Sequence, residues 1–352
     1  MIRVAVADDS PFTCRLLASY LECAGNVEII GTAHDAASTM DLLQRTSPDV
    51  VTLDLEMPGA DGLGLLQRIV RETTTAVVVV SGVSRRAAAT TLRALEIGAV
   101  DVVLKYTPGA PISPTSLRRE IVSKVTTAAA VQPRRGARAP VPETCTPARR
   151  LLMTRRHEAM RSEKRPPGGV VVLGASTGGP PALRQLLAQL PSDFNTPCVV
   201  VQHLPAPFIA AFADELARHA TLPVREAQPG AQLQPRCIVV APGSRHLLVR
   251  PGGRLELRPA TEEELHRPSI DFAMVSAAES YAMSSIGVVL SGMGCDGAEG
   301  LKRIRLHGGH GYVQDPSTCV VDSMPAHALE RAGADFVGRP DVIGTMLALR
   351  GS

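Results

Sequence analysis

The sequence has no tryptophan, few aromatic residues of any kind (3%), no Cys-x-x-Cys pair and no apolar run approaching a membrane span. Each absence excludes a class of protein. A bilayer-crossing helix needs about 20 apolar residues, whereas the valine-rich run at 76–80 covers only five and is bounded by Thr75 and Ser81. The N-terminus enters an apparent strand with no signal-peptide pattern, so a cytoplasmic protein without membrane insertion is expected. Seven cysteines, an odd number with no Cys/His cluster at zinc spacing, argue against a disulfide framework or a structural metal site and read as reduced core thiols.

Charge is modest overall but unevenly placed. Of a formal net +3, residues 126–167 carry nine Arg and one Lys against three Glu, about +7, which leaves the rest near −4. That segment also gathers prolines and holds no Phe, Tyr or Trp. Nucleic-acid binding calls for such charge on a folded face with stacking aromatics, so the stretch reads as a basic Pro/Arg-rich linker, with possible helical periodicity only at 149–164. At 352 residues the chain exceeds one comfortable core, and the linker divides it into domains at 1–125 and 168–350. Nothing in the pattern calls for self-association, and a monomer is expected.

Before the linker, apolar runs at 2–7, 27–33, 50–53, 76–80 and 100–104 alternate with helical-period segments at 12–23, 36–45, 63–71, 85–97 and 113–128. Near-continuous apolar runs suit strands buried on both faces, and five βα units predict a doubly wound five-stranded parallel sheet. After the linker the rhythm resumes at 170–173, 198–202, 237–241, 286–290 and 311–314, with a hairpin around Pro251-Gly252-Gly253. The second domain is therefore also expected to be α/β with a mostly parallel sheet.

Chemistry-bearing residues cluster after the strands. Asp8 and Asp9 follow the first run, Asp54 the third, Ser81 the fourth and Lys105 the fifth, so all five should meet at the carboxyl edge of one sheet. Three carboxylates in one place repel one another, and a hard divalent cation such as Mg²⁺ relieves that repulsion while bridging phosphoryl oxygens. With the segment Asp54-Leu55-Glu56-Met57-Pro58-Gly59-Ala60-Asp61-Gly62, this half resembles response-regulator receiver domains. The resemblance implies that Asp54 accepts a phosphoryl group from a sensor histidine kinase. It further implies that Asp8, Asp9, Asp54 and the Glu56 backbone carbonyl hold Mg²⁺, and that Ser81 and Lys105 read the phosphorylated state. Receivers commonly have proline after the lysine and an aromatic three positions before it; here the residues are Tyr106 and Val102.

In the second domain, Gly174-Ala175-Ser176-Thr177-Gly178 fits Gly-x-Ser-x-Gly between a strand and a helical segment at 182–189. Such a turn lifts a serine hydroxyl above the sheet next to helix N–H groups. A serine nucleophile needs a base and an orienting acid. His203 ends the next strand and Asp296 lies in the glycine-rich loop after a later one, so both belong on the same edge. Two rival readings exist. An α/β-hydrolase order would place the histidine late, at His310 or His327 after Asp271 or Asp296. Gly292-Met293-Gly294-Cys295-Asp296-Gly297 with Asp315 also fits a dinucleotide fingerprint, though that leaves Ser176 unexplained.

The series Gly-Ala-Ser-Thr-Gly-Gly, Gln-His-Leu-Pro, Ala-Pro-Gly-Ser-Arg-His, Arg-Pro-Ser-Ile-Asp and Ser-Gly-Met-Gly-x-Asp-Gly resembles the chemotaxis protein-glutamate methylesterases of the CheB family. With the receiver in front, the resemblance spans nearly the whole chain outside the linker. It implies hydrolysis of glutamate methyl esters on chemoreceptors, releasing methanol, with deamidation of receptor glutamines as a second activity. Ser176 would be nucleophile, His203 base, Asp296 its orienter and the Met293 N–H an oxyanion donor, with no cofactor in this domain. The competing class is a response regulator whose C-terminal domain only binds partners.

Overall fold

The structure is a computed structural model that describes residues 1–58, 61–82, 84–105, 114–131, 168–261, 264 and 266–350. The 149–164 helix and Tyr106 lie outside these residues.

The receiver half alternates β1 (Ile2–Ala7), α1 (Pro11–Glu22), β2 (Val27–Ala33), α2 (Ala36–Thr46), β3 (Val50–Leu53), α3 (Gly62–Glu72), β4 (Ala76–Ser81), α4 (Arg85–Ile97), β5 (Asp101–Leu104) and α5 (Pro114–Ala130). Its five strands are parallel in the order β2-β1-β3-β4-β5. Strands β3 and β5 are wholly buried, as double coverage by helices demands. The last helix, α5, runs to Ala130, past residue 125, at which the sequence reading ends the domain. Its buried stripe of Leu117, Ile121, Val125 and Ala128 keeps helical spacing across that point.

The second half contains β6 (Val170–Ala175), α6 (Gly179–Leu187), β7 (Cys198–Gln202), α7 (Ala206–His219), β8 (Val224–Glu226), β9 (Ile238–Val240), the hairpin β10 (Arg245–Arg250) and β11 (Arg254–Pro259), α8 (Ile270–Tyr281), β12 (Ser285–Val289), α9 (Ala298–Leu306), β13 (His310–Gln314), α10 (Ser323–Ala332), β14 (Phe336–Gly338) and α11 (Pro340–Arg350). Seven parallel strands are ordered β14-β13-β12-β6-β7-β9-β8. The edge strands β8 and β14 are absent from the sequence reading because each has three residues of mixed burial, too few to show a period. The strand order reverses direction at β6, where ligands bind in open α/β sheets.

Helix α4 explains how the halves meet. Ala87, Ala88, Thr91, Leu92, Ala94 and Leu95 are all buried, a stripe too wide for packing on one sheet alone. It packs against α6 and α7 of the second half, and one continuous apolar cluster runs from Leu92 and Leu95 into Phe212 and Leu216. The Arg184 guanidinium pairs with Glu96 at 2.6 Å along the same seam. No helix among the described residues is long and apolar enough to cross a membrane.

Candidate active site

At the carboxyl edge of the receiver sheet, Asp8, Asp9 and Asp54 bring a carboxylate oxygen each within 4.8 Å of one another. Asp8 and Asp54 are buried, whereas Asp9 is exposed. Lys105 compensates the two buried charges, its Nζ bonded to Asp8 Oδ2 and, at 2.7 Å, to Asp54 Oδ2. Burial alone would lower the Lys105 pKa, but the bonds and charges of Asp54 and Asp8 raise it above the usual lysine value. Three carboxylates with an open side form the all-oxygen donor set that Mg²⁺ takes, so these residues fit that ion. The Glu56 N–H donates to Asp54 Oδ1 at 3.0 Å, which turns that loop toward the acidic cluster. Ser81 closes β4, buried, with its hydroxyl donating to Gly82 O at 3.4 Å. Val102 is buried in β5, and its carbonyl accepts from Lys124 Nζ at 2.5 Å.

In the second half, β6 stands between β12 and β7 and carries Ser176 just beyond its end. The register pairs Ala175 with Gln202, so Ser176 and His203 are the next residues out on neighbouring strands. The His203 N–H donates to Ala175 O at 3.0 Å and the Ser176 N–H to Ser291 O at 3.0 Å, tying the three strand ends together. Gln202, which sequence reasoning passed over as a strand residue, donates to Ser176 O at 2.8 Å and to His203 O at 3.3 Å. Close approach sets the glycines. A Cβ on Gly174 would stand 2.3 Å from Ile270 Cγ2, and one on Gly292 would stand 2.7 Å from Ser176 Cβ.

Asp296 is buried and has four donors. His203 Nε2 meets its Oδ2 at 2.9 Å, the Ile270 N–H donates to Oδ2 at 2.7 Å, the Asp271 N–H to Oδ1 at 2.9 Å and Ser269 Oγ to Oδ1 at 3.1 Å. Two of these are the first N–H groups of α8, so the carboxylate also sits at the positive end of that helix. Burial would raise its pKa, yet His203 and the α8 amides hold it far below the usual carboxylate range. Asp271 returns the arrangement, its Oδ1 accepting from the Gly297 and Gly300 N–H groups that open α9 at 2.9 and 2.7 Å. Two helices are thus capped by each other's acid. Burial and the charge of Asp296 push Asp271 up to about 6.

The backbone N–H groups of the Gly292–Gly297 loop are not all engaged. The Gly292 N–H donates to Val321 O at 2.9 Å and the Gly294 N–H to Ser323 Oγ at 3.0 Å, whereas the Met293 N–H between them bonds no described residue. Ser176 Oγ likewise bonds no described residue. The structure brings His203 to Asp296 and sets the Ser176 backbone on the neighbouring strand end, but shows no hydrogen bond between Ser176 Oγ and His203. Such bonds often close only around substrate.

Of the alternative acid-base residues, His310 lies near Asp335, at 3.8 Å, and His327 Nδ1 faces the carbonyls of Gly294 and Ser323. The Asp315 carboxylate accepts from its own turn at Ser317 N, 2.9 Å. The Gly292–Gly297 loop carries Asp296 to its bond with His203.

The receiver touches this site twice. The Thr177 hydroxyl donates to Asp101 Oδ2. On α5, the hydroxyls of Ser123, at 3.6 Å, and Thr127 point at Met293 Sδ. Asp101 is further bonded to Lys124 at 3.2 Å. No local sequence pattern joins residues 76 or 166 positions apart, so these contacts carry no signal in the sequence.

Residues 171–347 match the family described as CheB methylesterase, and residues 4–115 match the response regulator receiver domain. The chain is 37% identical to the protein-glutamate methylesterase/protein-glutamine glutaminase 1 of Oleidesulfovibrio alaskensis, covering 96% of each. It is 39% identical to protein-glutamate methylesterase/protein-glutamine glutaminase 4 of Anaeromyxobacter dehalogenans, over 94% of this chain and 89% of that one. Among solved structures, the Thermotoga maritima CheB methylesterase catalytic domain is 36% identical, with a TM-score of 0.50 over 52% of this chain and 98% of that chain.

Proposed function

The chain belongs to the CheB methylesterase family, with a receiver domain ahead of its catalytic domain, and from that premise we propose how its residues act. The enzyme is a protein-glutamate methylesterase and protein-glutamine glutaminase. Its substrates are glutamate methyl esters and glutamine amides on chemoreceptors. Ser176 Oγ attacks the side-chain carbonyl as His203 takes its proton, and the carbonyl oxygen, now negative, receives the unused Met293 N–H. His203 returns the proton to the leaving group, which departs as methanol from an ester or ammonia from an amide. Water then attacks the acyl-enzyme, again through His203, and releases glutamate and free Ser176. Asp296 stays ionised throughout and stabilises the imidazolium. The reading is carried by the 2.9 Å His203–Asp296 pair beside the strand end that bears Ser176.

The receiver supplies the control. Asp54 accepts the phosphoryl group from a sensor histidine kinase. Asp8, Asp9, Asp54 and the Glu56 carbonyl would hold Mg²⁺, which when bound neutralises phosphoryl oxygens. Unphosphorylated, the receiver covers the catalytic edge through Asp101, Ser123 and Thr127, and phosphorylation draws Lys105 away from Asp8 and Asp54 toward the new anion. Methanol release from methylated receptor membranes tests the assignment. Ser176→Ala should abolish turnover by several orders of magnitude while leaving the fold intact, and turnover that survived would overturn it.

A further inference from the structure

The motif His266-Arg267-Pro268-Ser269-Ile270-Asp271 does more than cap a helix. The His266 ring lies flat against that of His203, centroids 5.1 Å apart and planes 13° from parallel. On its other side His266 reaches the oxyanion loop, its Nε2 standing 3.5 Å from the point where a Cβ on Gly294 would lie. The ring therefore fills the space between the base and the loop that bears the Met293 N–H. None of the roles assigned above uses it.

The His203–Asp296 hydrogen bond fixes one atom of an imidazole but leaves the ring free to turn about that bond. A turn of that kind would swing Nδ1, the nitrogen left for Ser176, out of line. A flat neighbour against the ring face removes that freedom. We propose that His266 is a positioning residue for His203, a neutral stacking partner that holds the imidazole in the plane joining Asp296 to Ser176. It also gives the imidazolium formed during turnover a π face to rest on. The inference rests on His203 being the base.

The segment that carries His266 is built to hold it. His246 is fully buried and bridges the two sides of His266. Its Nε2 meets Glu264 Oε2 at 3.0 Å, while its Nδ1 accepts from the Ser269 N–H at 3.1 Å. Because Nδ1 accepts, the ring proton lies on Nε2 and is donated to Glu264. Ser269 Oγ then reaches Asp296 at 3.1 Å, so the same short segment sets a ring on the base and a hydroxyl on its acid. The charged groups facing His266 are Asp296 and His203. Burial, aided by His203 and opposed by Asp296, holds His266 below the usual imidazole value, which keeps it uncharged at neutral pH. A second cation against the imidazolium would oppose catalysis.

The test uses full-length protein and methanol release from methylated receptor membranes, with kcat, KM and the pH profile measured for His266→Ala, His266→Phe and His203→Ala. Stacked aromatic contacts of this size correspond to roughly three- to tenfold in rate. His266→Ala should lower kcat by that factor with KM changed less than twofold. His266→Phe, which keeps a flat face, should restore most of kcat and extend activity to lower pH, because its ring cannot charge. Wild-type kcat in His266→Ala, with His203→Ala inactive, would overturn this inference alone. So would a His266→Phe enzyme that melts like wild type yet is as slow as His266→Ala, since the imidazole nitrogens and not the ring face would then matter. An active His203→Ala would sink the base assignment and this inference with it.

Discussion

Thr177 donates its hydroxyl to Asp101, joining the residue after Ser176 to the start of the strand that Lys105 follows. Only the three residues Val102, Val103 and Leu104 of β5 separate a contact on the catalytic edge from the lysine that neutralises Asp8 and Asp54. A shift of Lys105 toward a phosphoryl group can therefore move the acceptor of the Thr177 bond without any long relay. Thr177→Val removes the hydroxyl at nearly constant volume and leaves Asp101 paired with Lys124. A hydrogen bond to a charged group contributes about 1.5–3 kcal/mol, so the docked state should weaken by roughly tenfold or more. The expected result is a higher methanol release rate without kinase and a smaller ratio of stimulated to basal rate. An unaltered ratio would mean the contact does not hold the domains together.

The acidic cluster gives a second expectation. With Asp8, Asp9 and Asp54 around one point, phosphoryl transfer to Asp54 needs a cation to offset their charge. Chelating divalent ions should remove stimulation by a phosphodonor and leave the basal esterase rate as it was, because among the described residues the one cluster able to hold a cation is in the receiver, away from Ser176. Asp9→Asn should weaken Mg²⁺ binding with little change in melting temperature, since Asp9 is exposed. Stimulation that persists in chelator would argue against an ion at these carboxylates.

Asp271 makes stability depend on pH in an unusual direction for an acid. Its pKa rises from 3.8 to about 6 through burial and the charge of Asp296, so the folded state binds the proton more tightly than the unfolded chain. That contribution is fully present below pH 4 and is lost as pH rises through 6. Asp271→Asn keeps an oxygen for the Gly297 and Gly300 N–H groups and removes the repulsion. It should melt higher than wild type above pH 6, by about 1 kcal/mol after allowing for solvent screening, and should lose that advantage near pH 4. A melting curve that shifts equally at both pH values would remove the Asp271–Asp296 repulsion as the cause.

Much of this was legible in the sequence because each strand end announces its chemistry. Buried valine runs stop at Asp8, Asp54, Lys105, Ser176 and His203, and parallel sheets gather such ends on one edge. What stayed hidden depends on contacts between distant segments. Asp271 entered the sequence reading as a rival catalytic acid and His266 did not enter it; only the meeting of two helix N-termini makes the first a cap, and only the His246 bridge presses the second onto His203. The docking face was invisible for the same reason. The wide apolar stripe of α4 was its one local trace.

Gly292 tests how closely the serine loop must be held. Its Cα faces Ser176, with room for no side chain: a Cβ would stand 2.7 Å from Ser176 Cβ and 2.2 Å from Met324 Sδ. The methionine can swing its flexible end aside, but Ser176 is held by the bond from its own N–H to Ser291 O and by Gln202 on its carbonyl. In Gly292→Ala the strain must therefore fall on the serine turn or on the loop carrying Met293. Overpacking of this kind costs about 1–3 kcal/mol, which a domain of this size survives. Methanol release should fall more than tenfold, and acylation of Ser176 by a fluorophosphonate probe should slow in parallel, because both need the hydroxyl, His203 and the Met293 N–H in register. A folded Gly292→Ala protein labelled at the wild-type rate would show that the close approach of these two loops does not set the position of the nucleophile.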